Sequence, residues 1–113
     1  MIEITLPLTP LLNRYYRKFR NRMVISHDGQ AYKQEVAIIC QDASIQPLMG
    51  PIALQAHIYR KAKRGDIDGY IKGLLDSLQG YAYLNDSQIV VLNVCRFDDK
   101  HNPRVEVEIN QID

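Results

Sequence analysis

Apolar and polar residues alternate over residues 2–7 (Ile-Glu-Ile-Thr-Leu-Pro), which predicts a strand. Pro7, Pro10 and Asn13 break that pattern, and the basic, aromatic stretch 14–22 reads as a loop. A short strand is expected over residues 23–26. Tyr32, Val36, Ile39, Cys40 and Ala43 then fall on one helical face, so the spacing predicts a helix from Asp28 to Ala43, capped by Ser26 or Asp28. Pro47, Gly50 and Pro51 close that unit. Residues 52–59 alternate again, with Ile52, Leu54, Ala56 and Ile58 on one side.

The second helical pattern runs from Asp66 to Gln79 and ends at Gly80; its apolar face is Ile67, Ile71, Leu74, Leu75 and Leu78. Tyr81 to Ser87 is expected as a loop. Residues 88–97 are almost continuously apolar and β-branched, which predicts a central strand buried on both sides. Val105, Val107 and Ile109 alternate with Glu106 and Glu108 in a last strand, expected to pair antiparallel with the one before it. The order β-β-α-β-α-β-β implies an α+β fold, a mixed sheet with two helices packed on it, in one domain spanning 1–113.

Composition changes this picture little. No apolar run approaches a membrane span, and the N-terminus lacks the pattern of a signal peptide, so a cytoplasmic protein is expected. Cys40 and Cys95 match no zinc spacing and read as two buried free thiols. His27, His57 and His101 are scattered singly, which argues against a histidine-based metal site.

Charge adds more. The formal net charge is only +1, but the cations are segregated. Arg14, Arg17, Lys18, Arg20 and Arg22 form one cluster; Arg60, Lys61, Lys63 and Arg64 form another. Such clusters suit a polyanion. In the first, Tyr15, Tyr16 and Phe19 interleave with the cations. The cations suit phosphates and the rings suit exposed bases, or else the tyrosines pack back on the core.

Acids concentrate between and after these clusters. Asp66 and Asp68 open the second helix, Asp68 and Lys72 share a helix face, and Asp86 precedes the following strand. Converging carboxylates need a neutralising ion, and a hard divalent cation bound by carboxylates, water and phosphate oxygens meets that need. Such an ion activates water and polarises a phosphodiester, and Lys72 would stabilise the charge that develops. The competing reading makes Asp66 and Asp68 helix caps, Asp68–Lys72 a surface ion pair and Asp86 a turn residue.

The string Asp66-Ile67-Asp68 with Lys72 and Asp76, followed by Asp86-Ser87-Gln88-Ile89, resembles the RusA family of Holliday junction resolvases. Leu6-Pro7, Asn13-Arg14-Tyr15-Tyr16-Arg17 and Gly29-Gln30-Ala31-Tyr32 extend the resemblance over nearly the whole chain. It implies a cytoplasmic homodimer that binds four-way branched DNA and nicks two opposing strands with Mg²⁺ or Mn²⁺, without a small-molecule cofactor. By position it implies Asp66, Asp68 and Asp86 as catalytic, metal-binding acids and Lys72 as the active-site lysine. Asp76 matches a recurring acid, read here as structural or indirectly supporting. Genes of this kind are common on phages and prophages, which suggests such an origin. Two positions depart from the pattern: Gly69 stands for an asparagine, and Asn85 for the first acid of an acidic pair. The alternatives are a nuclease for flaps or forks, or an inactive junction-binding protein.

Overall fold

A computed structural model describes residues 1–113. A four-stranded mixed sheet has the order β1-β6-β4-β5, where β1 is Ile2–Pro7, β4 Ile52–Arg60, β5 Ile89–Asp98 and β6 Arg104–Gln111. β6 runs antiparallel to both β1 and β4, whereas β5 runs parallel to β4. The last two strands therefore do not pair with each other, because β4 lies between them. Leu6, Ile52, Leu54, Ile58, Val105 and Ile109 join one core with Tyr32, Val36, Leu74 and Leu78 from the helices. The alternation seen in β1, β4 and β6 is thus the imprint of a sheet with one covered face.

Three helices accompany the sheet rather than two: α1 (Leu12–Tyr15), α2 (His27–Asp42) and α3 (Ile71–Leu78). The cap of α2 is Ser26, whose Oγ accepts the Gly29 N–H at 3.0 Å. The second helical pattern divides into a 3₁₀ turn, Ile67–Tyr70, and α3. Gly69 lies inside that turn, where a residue of low α-helix propensity opposes a continuous helix.

The stretch expected as a loop is instead α1 followed by a hairpin. β2 (Tyr16–Phe19) pairs antiparallel with β3 (Arg22–Ile25). Arg20 (φ 49°) and Asn21 (φ 61°) make the two-residue connection, and positive φ at both is the signature of a type I′ turn. That turn usually carries glycine, and here neither position has one.

The 88–97 run is not a central strand. β5 is the sheet edge, with Val90, Val91 and Leu92 exposed. A continuous apolar run does not report whether a lateral neighbour or a covering layer exists, and here β5 is exposed along most of its length. Cys95 is likewise exposed on β5, while Cys40 is buried as expected.

Candidate active site and nucleic-acid interface

α3 and the turn before it present Asp68, Ile71, Lys72, Leu75 and Asp76 along one stripe, at helical spacing. Asp86 faces this stripe, and together these six line a cavity of about 300 Å³. The loop carrying Asp86 is held by local hydrogen bonds. Its N–H donates to Gln79 Oε1 at 2.9 Å, the Ser87 N–H to Asn85 Oδ1 at 2.9 Å, and the Asn85 N–H to Gln88 Oε1 at 3.0 Å. Gln88 also donates to the carbonyls of Leu48 and Gly50, both at 2.9 Å. Asn85 therefore caps the 3₁₀ turn Asp86–Gln88, a role its amide oxygen fills as an aspartate would.

Asp76 is the best-connected acid of the cleft. It accepts from the Tyr16 hydroxyl and from Lys72 Nζ, the latter at 3.1 Å. Burial, and next the charge of Asp86, push its carboxyl above the usual range. Burial and the same two acids push the Tyr83 hydroxyl upward as well. The cleft thus carries an excess of negative charge that the Lys72 ammonium offsets only in part. Lys72 Nζ also lies 5.3 Å from the centroid of the Tyr16 ring.

Asp66 does not border this cavity. It precedes the 3₁₀ turn on extended backbone (φ −82°, ψ 162°), makes no capping bond, and its charge acts on Arg60. No three acidic, histidine or cysteine side chains stand close enough together to ligate one ion. The spread follows from helix geometry, since eight residues separate Asp68 from Asp76, roughly 12 Å at helical rise. The donor chemistry nevertheless fits a hard cation: Asp68 and Asp86 are carboxylates outside every ion pair, on either side of one cavity. Mg²⁺ asks for one or two carboxylates and completes its shell with water and phosphate.

Two expected DNA contacts are corrected. Tyr15 is fully buried, and its hydroxyl is 2.7 Å from Ser77 Oγ, so it cannot stack on a base. Arg60 is only 8% exposed; its guanidinium donates to Asp98 Oδ1 at 2.6 Å and to the Gly65 carbonyl at 3.0 Å. It anchors the loop that leads into Asp66. Tyr16 is half-buried, with its ring 4.6 Å from that of Tyr15 and its hydroxyl on Asp76. By contrast Arg17, Lys18 and Arg20 are exposed on the hairpin that rises from Tyr16 beside the cleft. Arg17 and Arg20 flank the Phe19 ring at 5.3 and 5.2 Å. Arg14 is exposed and 3.4 Å from Asp28. Lys61, Lys63 and Arg64 are exposed on the loop after β4.

The family model described as Endodeoxyribonuclease RusA matches residues 6–110. The chain belongs to the RusA family. It is 33% identical over 114 residues to the crossover junction endodeoxyribonuclease RusA of Escherichia coli K12, an overlap covering 97% of this chain and 94% of that one. The corresponding protein of Enterobacteria phage 82 matches with the same identity and coverage. A relative from Escherichia coli O139:H28 is 35% identical over 92 residues, covering 79% of this chain and 76% of the relative. The two departures from the RusA pattern have local causes. Asn85 keeps the cap. At Gly69, an added Cβ would lie 3.1 Å from Leu11 Cδ2, and at Gly65 (φ +87°) it would lie 2.4 Å from the same atom. Leu11 folds over both glycines, and Gly65 also holds a backbone conformation that side chains disfavour.

The Arg60–Asp98 pair makes stability depend on pH. The hydrogen bond from Arg60 is the largest cause holding the Asp98 carboxyl below its usual range. A depressed carboxylate favours the fold above its unfolded pKa, and that contribution is lost as pH falls through the folded value. Asp98→Asn should therefore melt below the wild type at neutral pH. The gap should close as pH falls through and below the ordinary carboxylate range, read by thermal denaturation followed by circular dichroism.

Proposed function

We propose that this protein is a homodimeric endodeoxyribonuclease that resolves four-way DNA junctions by paired symmetric nicks, using Mg²⁺ or Mn²⁺ and working in the cytoplasm. The observation that carries this reading is the cleft along α3, where Asp68, Lys72, Asp76 and Asp86 meet beside an exposed cationic hairpin. The names of the relatives supply the junction as substrate.

In this reading Asp68 and Asp86 would hold the divalent ion, with Asp66, whose carboxylate caps nothing, as the third acid of the set. Such an ion, when bound there, would supply polarisation of the scissile phosphodiester and activation of water. Lys72 neutralises charge on the departing oxygen. Asp76 positions Lys72 and fixes Tyr16 at the foot of the hairpin. Arg17, Lys18 and Arg20 follow the phosphates of one arm, with Arg14, Lys61, Lys63 and Arg64 as further contacts. A second copy of the chain supports two matched nicks on a two-fold substrate. The exposed apolar edge of β5, with Val90 at 60% exposure, is the surface such a copy would cover.

Incubating the protein with a labelled synthetic junction, with and without Mg²⁺, tests the proposal. Symmetric metal-dependent nicks are expected. Equal cutting of flaps or forks would reassign the substrate, and binding without nicking would mark an inactive descendant. The hairpin makes a separate prediction. Replacing Arg17, Lys18 and Arg20 together by alanine should reduce the slope of log K against log salt by almost three, roughly 0.9 per lost phosphate contact. An unchanged slope with the fold intact would move the DNA path to Lys61, Lys63 and Arg64.

A further inference from the structure

A larger cavity of about 480 Å³ lies between the β1–α1 connection, α2 and the loop after β4, apart from the acidic cleft. Leu8, Pro10, Leu11 and Tyr32 contribute apolar surface to it. The hydroxyls in its walls are already used by the protein. Thr9 Oγ1 donates to Tyr32 Oη at 2.9 Å, Tyr32 donates to the Pro7 carbonyl at 2.8 Å, and Tyr70 donates to the Arg64 carbonyl at 2.7 Å. The interior therefore offers a flat apolar ligand a place to leave water.

The rim is different in kind. Lys61 and Arg64 stand there with no acidic partner within ion-pair distance, and Arg14 stands there with Asp28 at 3.4 Å. Unpaired cations over an apolar interior match a molecule that is apolar and planar at one end and anionic at the other. Asp28 and Glu35 add acceptors for amino groups. The volume lies within the range of small-molecule sites.

The cavity is also connected to the chemistry. Leu11 is shared with a second, shallower groove lined by Asn13, Gly65 and Gly69, and Gly69 is the residue after Asp68 of the acidic cleft. Leu11 packs on Gly65 and Gly69 and separates that groove from the larger cavity. The groove therefore lies between the acidic cleft, one residue away at Asp68, and the larger cavity on the other side of Leu11.

We infer that this cavity holds one unstacked nucleotide of the cut strand, its base on the apolar surface and its phosphates at Lys61 and Arg64. The inference rests on the junction reading above and deepens it: the protein reads a base near the crossover through a pocket, in addition to its phosphate contacts. A free deoxynucleotide presents the same chemistry; the groove between cavity and cleft favours the strand.

The test walks one abasic site through the nucleotides around the crossover of an immobile junction, with binding measured under chelation so that no strand is cut. Wild type should lose about 5- to 150-fold in affinity at one position, the range for a single stacked base, and little elsewhere. Ala31→Trp, which fills the cavity from the exposed face of α2, should bind the intact junction more weakly and show no loss at that position. Its salt slope should be unchanged. Ala62→Phe fills the cavity from the opposite wall and should do the same, which covers the case where one variant misfolds by circular dichroism. Ala31→Ser, which leaves the space open, should behave as wild type. The inference is overturned if wild type shows no position-specific loss, or if that loss persists in the filled variants. Saturable binding of a deoxynucleoside monophosphate without any abasic effect would reassign the cavity to a free nucleotide and overturn it too. Failure of wild type to bind junctions at all would instead remove the resolvase reading, and this inference with it.

Discussion

Asp68→Asn should reduce junction nicking by about 10³-fold or more, on the order of 4 kcal/mol in the barrier, while junction affinity stays within about twofold. Asparagine keeps the shape of the side chain and removes its charge, so it weakens a hard-cation site without emptying space. The fold does not depend on that charge. Asp68 is exposed, and an acid in the first turn of a helix contributes only about 0.3–1 kcal/mol. Binding should survive because the phosphate contacts belong to the hairpin and to the loop after β4; the loss of one negative charge in an acid-rich cleft even favours it. Chelating the metal from wild type should reproduce the variant, with nicking lost and binding kept. Asp86→Asn and Asp66→Asn should lose nicking as well. Retained activity in Asp66→Asn would confine the metal to the cleft between Asp68 and Asp86. Parallel loss of binding and nicking in Asp68→Asn would make Asp68 structural.

Asp68 and Lys72 share a stripe because helical periodicity says so, and the structure keeps that stripe although its first turn is 3₁₀. Periodicity also extends the stripe to Asp76, but i, i+4 and i+8 describe one face without saying what lies opposite it. The opposite wall is Asp86, placed by Gln79 and Gln88 through backbone hydrogen bonds that no pattern of apolar residues encodes. Asp66 reads in sequence as the twin of Asp68, yet extended backbone at its own φ and ψ carries it outside the cavity. Similar limits govern the rest of the fold. β1, β4 and β6 were legible because each has one wet face, whereas β5 alternates with nothing and its edge position is a property of the whole sheet. The hairpin was hidden because Arg20 and Asn21 hold a turn that ordinarily announces itself with glycine.

Tyr15 gives the largest expected effect on stability, and it separates core from interface within the Tyr15–Tyr16 pair. Its ring is completely buried, 6.4 Å from that of Tyr32, and its hydroxyl pairs with buried Ser77 at 2.7 Å. α3 accommodates it through Gly73, where an added Cβ would lie 2.6 Å from Tyr15 Cδ2. Tyr15→Ala should cost about 3–5 kcal/mol, the range for deleting a buried aromatic ring, because α1 and α3 cannot collapse onto the space. Domains of this kind are stable by only about 5–15 kcal/mol, so the variant should be partly unfolded at physiological temperature. Tyr15→Phe keeps the ring and leaves the Ser77 hydroxyl without its partner, a loss of about 1–3 kcal/mol. Its melting temperature should fall by about 4–8 °C per kcal/mol, read by thermal denaturation. Below that temperature, Tyr15→Phe should bind junctions as wild type does, with the same salt slope. A stacking residue would behave in the opposite way: Phe would be silent in both assays, and Ala would weaken binding while leaving the melting temperature alone. Tyr16→Phe probes the neighbouring position. It breaks the hydrogen bond to Asp76 at the edge of the cleft, so its loss should appear in the nicking rate more than in the melting temperature.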